Sequence, residues 1–217
     1  MSVALVDERF LLSEEQRDAL LQWVGRRPGS GPATYAFLSS VAFAALRPQE
    51  ALGLRVRDVQ LSDADEGGLV IPPRRGNGRG GADGTSAVPR VVPACPELAG
   101  ILKAQIARYD LRADDAVFAG EGGRPLSGAV YRRAWRQARE AVLAEHEIDT
   151  PLGRRVSGLR DARITKWLGG YRTAAEVFMV AEWVGVSAPA LARRFPHCFR
   201  PSGEISYDLM EAALLCP

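Results

Sequence analysis

The sequence predicts a mainly α-helical domain with one small antiparallel β-sheet. Three observations carry this. Two capping boxes, Ser13-Glu14-Glu15-Gln16 and Thr173-Ala174-Ala175-Glu176, each open a run of helical length. Two short β-type runs, Leu69-Val70-Ile71 and Val88 to Val92, flank one glycine- and arginine-rich loop, as the strands of a hairpin do. Most of the remaining chain is divided by glycines and prolines into apolar-periodic segments too long for strands.

Taken in order, the elements read as follows. Arg17 to Val24 is an amphipathic helix behind the first box, and Gly25 to Pro32 interrupts it. Ala33 to Leu46 is nearly all apolar and small, the pattern of a buried core helix. Pro48 suits the first position of a short helix ending at Leu54. Asp58 to Gly68 is polar and reads as a loop. Arg74 to Gly84 is a long, basic hairpin loop. Pro96 and Glu97 open a helix to about Tyr109. Ser127 caps a long helix to about Glu145 that carries Arg132, Arg133, Arg136 and Arg139; a solvated face and a phosphate-facing surface are both open readings of these arginines. Leu159 to Leu168 is a helix stopped by Gly169-Gly170, and the helix opened by the second capping box closes at Gly185. Ser187 caps a short helix that stops near Pro196. Glu204 to Leu215 is a terminal amphipathic helix with the apolar stripe Ile205, Leu209, Met210, Ala213 and Leu214.

The composition is that of an ordinary globular protein, 47% hydrophobic and 25% charged over 217 residues, which suits a single domain over 1–217. The formal net charge of +2 does not by itself point to nucleic acid. The kind of base is more informative: of 28 basic residues only Lys103 and Lys166 are lysines. Coding bias explains this blandly; phosphate recognition, for which guanidinium forks are suited, explains it functionally. Cys95, Cys198 and Cys216 are scattered and form no CxxC pair, so neither a disulfide framework nor a zinc site is indicated. The expectations are a reducing, cytoplasmic setting, no metal, no cofactor and no membrane partner.

Three boxes narrow the reading. Ala45-Leu46-Arg47-Pro48-Gln49-Glu50, with Asp58 beyond, resembles the first arginine box of the tyrosine recombinases (phage integrases). Gly158-Leu159-Arg160-Asp161-Ala162-Arg163 is similar to that family's second arginine box, and Val180-Ala181-Glu182-Trp183-Val184-Gly185-Val186-Ser187 to its Gly-His-Ser box. The boxes fall in the family's order, with the hairpin between the first and second. The resemblance spans roughly residues 13 to 216 and implies the recombinase catalytic-domain fold without the family's separate N-terminal DNA-clamping domain. It also implies a terminal helix, residues 203–217, that either passes to a neighbouring protomer to make a homo-oligomer or folds back on its own domain.

The family chemistry is phosphoryl transfer to a tyrosine oxygen, promoted by positioning and charge stabilisation. The resemblance makes Arg47 and Arg160 the pair that clamps the DNA phosphate; each has the alternative of pairing with an acid such as Glu50 or Asp58 to hold helices together. The reactive positions have changed. Arg75, in Arg75-Gly76-Asn77, stands where a hairpin lysine acts as general acid, and guanidinium is a poor proton donor. Arg75 and nearby Arg79 remain suited to phosphate. Ser157 replaces the first histidine and Val186 the second. Phe195 stands ten residues past Gly185, where the nucleophilic tyrosine belongs, and it carries no oxygen. A three-residue insertion lies between Arg160 and Gly185, near Tyr171. Tyr171 and Tyr207 are read as ordinary tyrosines rather than substitute nucleophiles. His146 and His197 are the only histidines, and His197 is close enough in sequence to Phe195 to approach the old site.

The expected function is a DNA-binding pseudo-recombinase that regulates recombination or transcription. A protein-interaction module built on the same fold and a residually active integrase are the competing expectations.

Overall fold

The computed structural model describes residues 5–62, 67–73, 88–120, 123–170 and 173–199. Nine helices and three strands are seen among them: α1 (Glu14–Gly25), α2 (Gly31–Phe43), α3 (Pro48–Gly53), β1 (Val59–Leu61), β2 (Gly67–Ile71), β3 (Arg90–Ala94), α4 (Pro96–Arg108), α5 (Gly128–Val142), α6 (Glu145–Ile148), α7 (Ser157–Gly169), α8 (Ala174–Val184) and α9 (Ala188–Arg194). The strands form one antiparallel sheet in the order β1-β2-β3, with Leu69 opposite both Val59 and Val92. The mainly helical architecture matches the sequence reading.

Local chemistry explains most boundaries. Both capping boxes are made: the Ser13 hydroxyl accepts from the Gln16 amide while the Gln16 side chain accepts from the Ser13 amide, and Thr173 and Glu176 do the same for α8. Proline stands in the first turn of α2, α3, α4 and α9, where a missing N–H costs nothing. Gly185 closes α8 in the left-handed region, with φ of 70°.

Three expectations fail. The core helix read as Ala33 to Leu46 spans Gly31–Phe43, and the chain leaves it through the left-handed turn at Ala45. The segment 58–68 is not all loop: Val59–Leu61 pairs with β2 as an edge strand, a pairing too short to leave its own periodicity. The helix from Ser127 stops at Val142 rather than near Glu145. Leu143 turns extended to bury its side chain, and the Glu147 carboxylate accepts from the Ala144 amide to start α6.

Two cores result. The larger fills the space between α1, α2, α4, α5 and the inner face of the sheet; nearly every residue of α2 is buried there, with the Phe37 ring against those of Phe118 and Tyr131. The smaller joins α7, α8 and α9 around Ile164, Leu168, Val180, Val184, Leu191 and Phe195, and Ala45 enters it from the end of α2. Ala45 has φ of 48°, a conformation that costs about 1–2 kcal/mol for a residue with a Cβ. That turn is what brings the chain leaving α2 between the two cores, delivering Arg47 to their seam. Among the described residues no single helix is long and apolar enough to cross a membrane.

Two substitutions test this packing by denaturant unfolding. Phe195 is 0% exposed, so Phe195→Ala is expected to cost about 3–5 kcal/mol. Gly100 is exposed within α4 with open space at its Cβ position, so Gly100→Ala is expected to add about 0.5–1 kcal/mol.

Candidate phosphate-binding site

The end of α8 leaves a set of backbone acceptors that its own turn does not fill. The amides of Gly185 and Val186 bond back to Ala181 and Glu182, leaving the later carbonyls of Trp183, Val184 and Gly185 to outside donors. Three arginines from three different elements supply them. Arg90 Nε on β3 donates to the Trp183 carbonyl at 3.0 Å. Arg160 Nη2, in the first turn of α7, donates to Val184 at 2.9 Å. Arg47 Nη2, at the entry to α3, donates to Gly185 at 3.1 Å. The negative end of the helix dipole favours cations at this position.

One carboxylate sits among the three. Glu50 is buried, its side chain 3% exposed. Its Oε2 accepts from Arg90 Nη2 at 2.8 Å and from the Arg47 amide at 2.9 Å, and its Oε1 lies 3.6 Å from Arg47 Nη1. Burial works to raise the Glu50 pKa, but Arg90 beside it, with the Arg47 amide and Arg160, holds it below the usual carboxylate value. Arg160 lies deepest, 7% exposed, and a further N–H of its guanidinium donates to the Ala45 carbonyl. Burial, then the charges of Arg47 and Arg90, push its pKa down to about 9 against the pull of Glu50 and Asp161, so it still carries its charge at neutral pH. Asp161 itself is engaged by Arg194 at 2.9 Å.

Three guanidinium groups therefore gather at the end of α8, two of them against one carboxylate, an excess of two positive charges in a partly desolvated seam. Arg47 forms the outward edge, with 23% of its side chain exposed against 10% for Arg90. Each guanidinium has five N–H donors, and backbone carbonyls take only some of them. The arrangement suits an anion with several acceptor oxygens approaching from the Arg47 side.

The structure brings Arg47 and Arg160 together and ties both to backbone, Arg47 also to Glu50. Asp58 is not their partner; it accepts from the Arg55 amide at 3.0 Å. Ser157 is partly exposed at the start of α7, one turn before Arg160 and so on the same side of the helix. Val186 is partly buried against the smaller core. Phe195 is sealed within that core, where its ring serves packing. His197 reaches Thr165 Oγ1 with Nε2 at 3.2 Å. Arg139 does not face solvent: its Nε and Nη2 donate to the Leu152 and Ile148 carbonyls, both at 3.0 Å, fixing the loop after α6, whereas Arg132, Arg133 and Arg136 are exposed. Arg75, Arg79, Tyr171, Tyr207 and 203–217 lie outside the described residues. Arg90 is the residue that sequence reasoning missed. Its signal was a lone cation inside the otherwise apolar run Val88-Pro89-Arg90-Val91-Val92.

Two further expectations follow from this geometry. A Cβ at Gly185 would meet Arg90 Cζ at 3.0 Å in a left-handed backbone, so Gly185→Ala is expected to cost at least about 1–2 kcal/mol in denaturant unfolding. Glu50 has a lowered folded pKa, so its ionised form contributes stability that is fully present above its unfolded value of about 4.3 and is lost as pH falls through the lower folded value. The stability difference between wild type and Glu50→Gln is therefore expected to shrink as pH falls from about 5 toward about 2, measured by urea unfolding across that window.

No family model matches the chain, and neither does any curated protein. Solved structures do. A post-cleavage complex of the XerH site-specific recombinase with its palindromic difH substrate matches 99% of this chain and 54% of its own, with 16% identity and a TM-score of 0.63. XerA recombinase matches 100% of this chain and 65% of its own, with 16% identity and a TM-score of 0.59. The Tn1549 transposon integrase with transposon right end DNA matches 96% of this chain and 66% of its own, with 13% identity and a TM-score of 0.62. The chain thus spans about half to two thirds of the length of these structures. The helices and the small antiparallel sheet together have the fold of the tyrosine recombinase catalytic domain.

Proposed function

We propose that this chain is a DNA-binding pseudo-recombinase of the tyrosine recombinase family: it holds backbone phosphate at the arginine seam and does not cut. The carrying observation is the convergence of Arg47, Arg90 and Arg160 on the end of α8, two of them against the single carboxylate of Glu50, while the position expected for the nucleophile is a phenylalanine buried in an apolar core. Fold neighbours solved as DNA complexes, XerH and the Tn1549 integrase, support duplex DNA as the partner.

Arg47 is the arm that meets phosphate. Arg160 stands behind it as a fixed charge, its guanidinium anchored to Ala45 and Val184, and adds to the potential that the phosphate feels. Arg75 and Arg79, outside the described residues, join as further phosphate ligands on the sequence resemblance alone. Neither Ser157 nor Val186 offers a group that titrates near neutrality, so proton transfer to a leaving oxygen is unassisted there. The biological output of such a protein is regulation, through occupancy of a DNA site or modulation of an active integrase.

The test is binding to duplex DNA across a salt series. Wild type is expected to bind at low salt, with affinity falling linearly on a log–log plot. Arg47→Ala is expected to flatten that slope by about one unit and to lower the melting temperature by less than Arg160→Ala does, since Arg47 also bonds Gly185 and pairs with Glu50. Arg160→Ala is expected to lower both, because it also removes the anchor of α8. Absence of DNA affinity in the wild type at low salt contradicts the proposal.

A further inference from the structure

A second cavity, which none of the seam residues lines, has no part in the function described so far. It encloses about 640 Å³ between α1, α2 and α4, a size that suits one small organic ligand. Tyr35 and Ala36 of α2 with Ile101 and Ala104 of α4 give it an apolar lining. Gly100 keeps one wall low, and a Cβ there would meet nothing within 4 Å.

Its polar groups are few. Gln105 lines the cavity and is only 4% exposed. Its Nε2 donates to the Val117 carbonyl at 3.1 Å and to the Ala119 carbonyl at 2.9 Å, which fixes the end of the amide that carries oxygen. Among the described residues nothing donates to Oε1, and protein atoms do not seal it off. An amide oxygen so deep in the fold and without a donor is costly, and a ligand N–H or O–H satisfies it.

Charge divides the cavity lengthwise. Glu97, in the first turn of α4, is close enough to Arg17 and Tyr35 for both to feel its carboxylate. Arg17 stands in the first half of α1, so α1 and α4 run in the same direction along the cavity. Arg26, which caps α1, and Arg108, which ends α4, therefore come to the same end. Both are exposed and line the cavity, and among the described residues neither has an ion-pair partner.

We infer that this cavity binds a small organic acid with an apolar body: the anion meets Arg26 and Arg108, an N–H or O–H donates to Gln105 Oε1, and the body lies along Ala36, Ile101 and Ala104 toward Gly100. The spacing follows from α4. Along its axis Gln105 is about 4.5 Å and Gly100 about 12 Å from Arg108. Two guanidinium groups at one end select an anion, and Glu97 at the other disfavours a second one. This site and the phosphate seam do not depend on each other.

The probe is indole-3-butyrate, which has a carboxylate, a flat apolar body and one N–H. It is titrated into the full chain without DNA and followed by ¹⁵N NMR. Saturable shifts are expected at the amides of Gly100, Ile101 and Ala104. The N-methyl analogue, which has no donor for Gln105, is expected to bind at least about 5-fold more weakly. Arg26→Ala/Arg108→Ala is expected to weaken the acid but not its uncharged methyl ester. Gly100→Leu, which fills the cavity from a position where leaving glycine favours the helix, is expected to keep the melting temperature and abolish binding. No saturable binding to the wild type, or equal affinity for acid, N-methyl analogue and ester, overturns the inference. Undiminished binding to Gly100→Leu does so too. Should Gly100→Leu not fold, the ligand comparison decides alone. A wild type that sediments as a dimer, with Gly100→Leu a monomer, assigns the groove to a second copy and also overturns it.

Discussion

The buried carboxylate of Glu50 makes the rest of the seam possible. Two like charges about 4 Å apart repel by about 4 kcal/mol at an effective dielectric of about 20. Three guanidinium groups therefore do not gather without compensation. Glu50 supplies one negative charge, and the carbonyls of Trp183, Val184 and Gly185 supply three aligned dipoles at the negative end of α8. Hydrogen bonds to charged groups contribute about 1.5–3 kcal/mol each, enough to offset the repulsion among neighbours without cancelling the net charge. What remains is a seam that is folded, stable and still positive.

The same arrangement fixes the geometry of the molecule. Arg47 follows α2, Arg90 stands on β3 and Arg160 on α7, and all three converge on the last turn of α8. The left-handed turns at Ala45 and Gly185 are the two places where the backbone bends to allow it. Phe195 follows from the other side of this economy. A ring with no hydroxyl is wholly compatible with the apolar surroundings of Ile164, Leu168, Val180 and Leu191, and the smaller core closes over it. On the proposed reading, the affinity for phosphate and the loss of the attacking oxygen are separate features: the first belongs to the seam, the second to the core beneath it.

Much of the fold was legible in the sequence because its signals are local. Ser13 with Gln16, Thr173 with Glu176, the prolines at helix starts and Gly185 at a helix end all act within one turn, so their spacing is their meaning. The edge strand Val59–Leu61 was not legible, because three residues show no period and only the pairing with β2 defines it. The break at Leu143 was hidden for a related reason: burial in the core, a tertiary effect, overrides a helical pattern that runs on to Glu145. At the site, Arg47 and Arg160 were identified through motif resemblance. Their convergence and the depth of Arg160 were not, since both depend on the end of α8. Arg90 was missed because no local rule marks it; its partners are 40 and 93 residues away in the chain.

Binding without cutting is the central claim, and a single measurement addresses both halves. The full chain is incubated at low salt with a nicked duplex designed to trap a phosphotyrosyl intermediate, and the same mixture is run on a native and on a denaturing gel. The account predicts a retarded DNA band on the native gel and free DNA of unchanged length on the denaturing one. A covalent protein–DNA adduct, or shortened DNA strands, would contradict it.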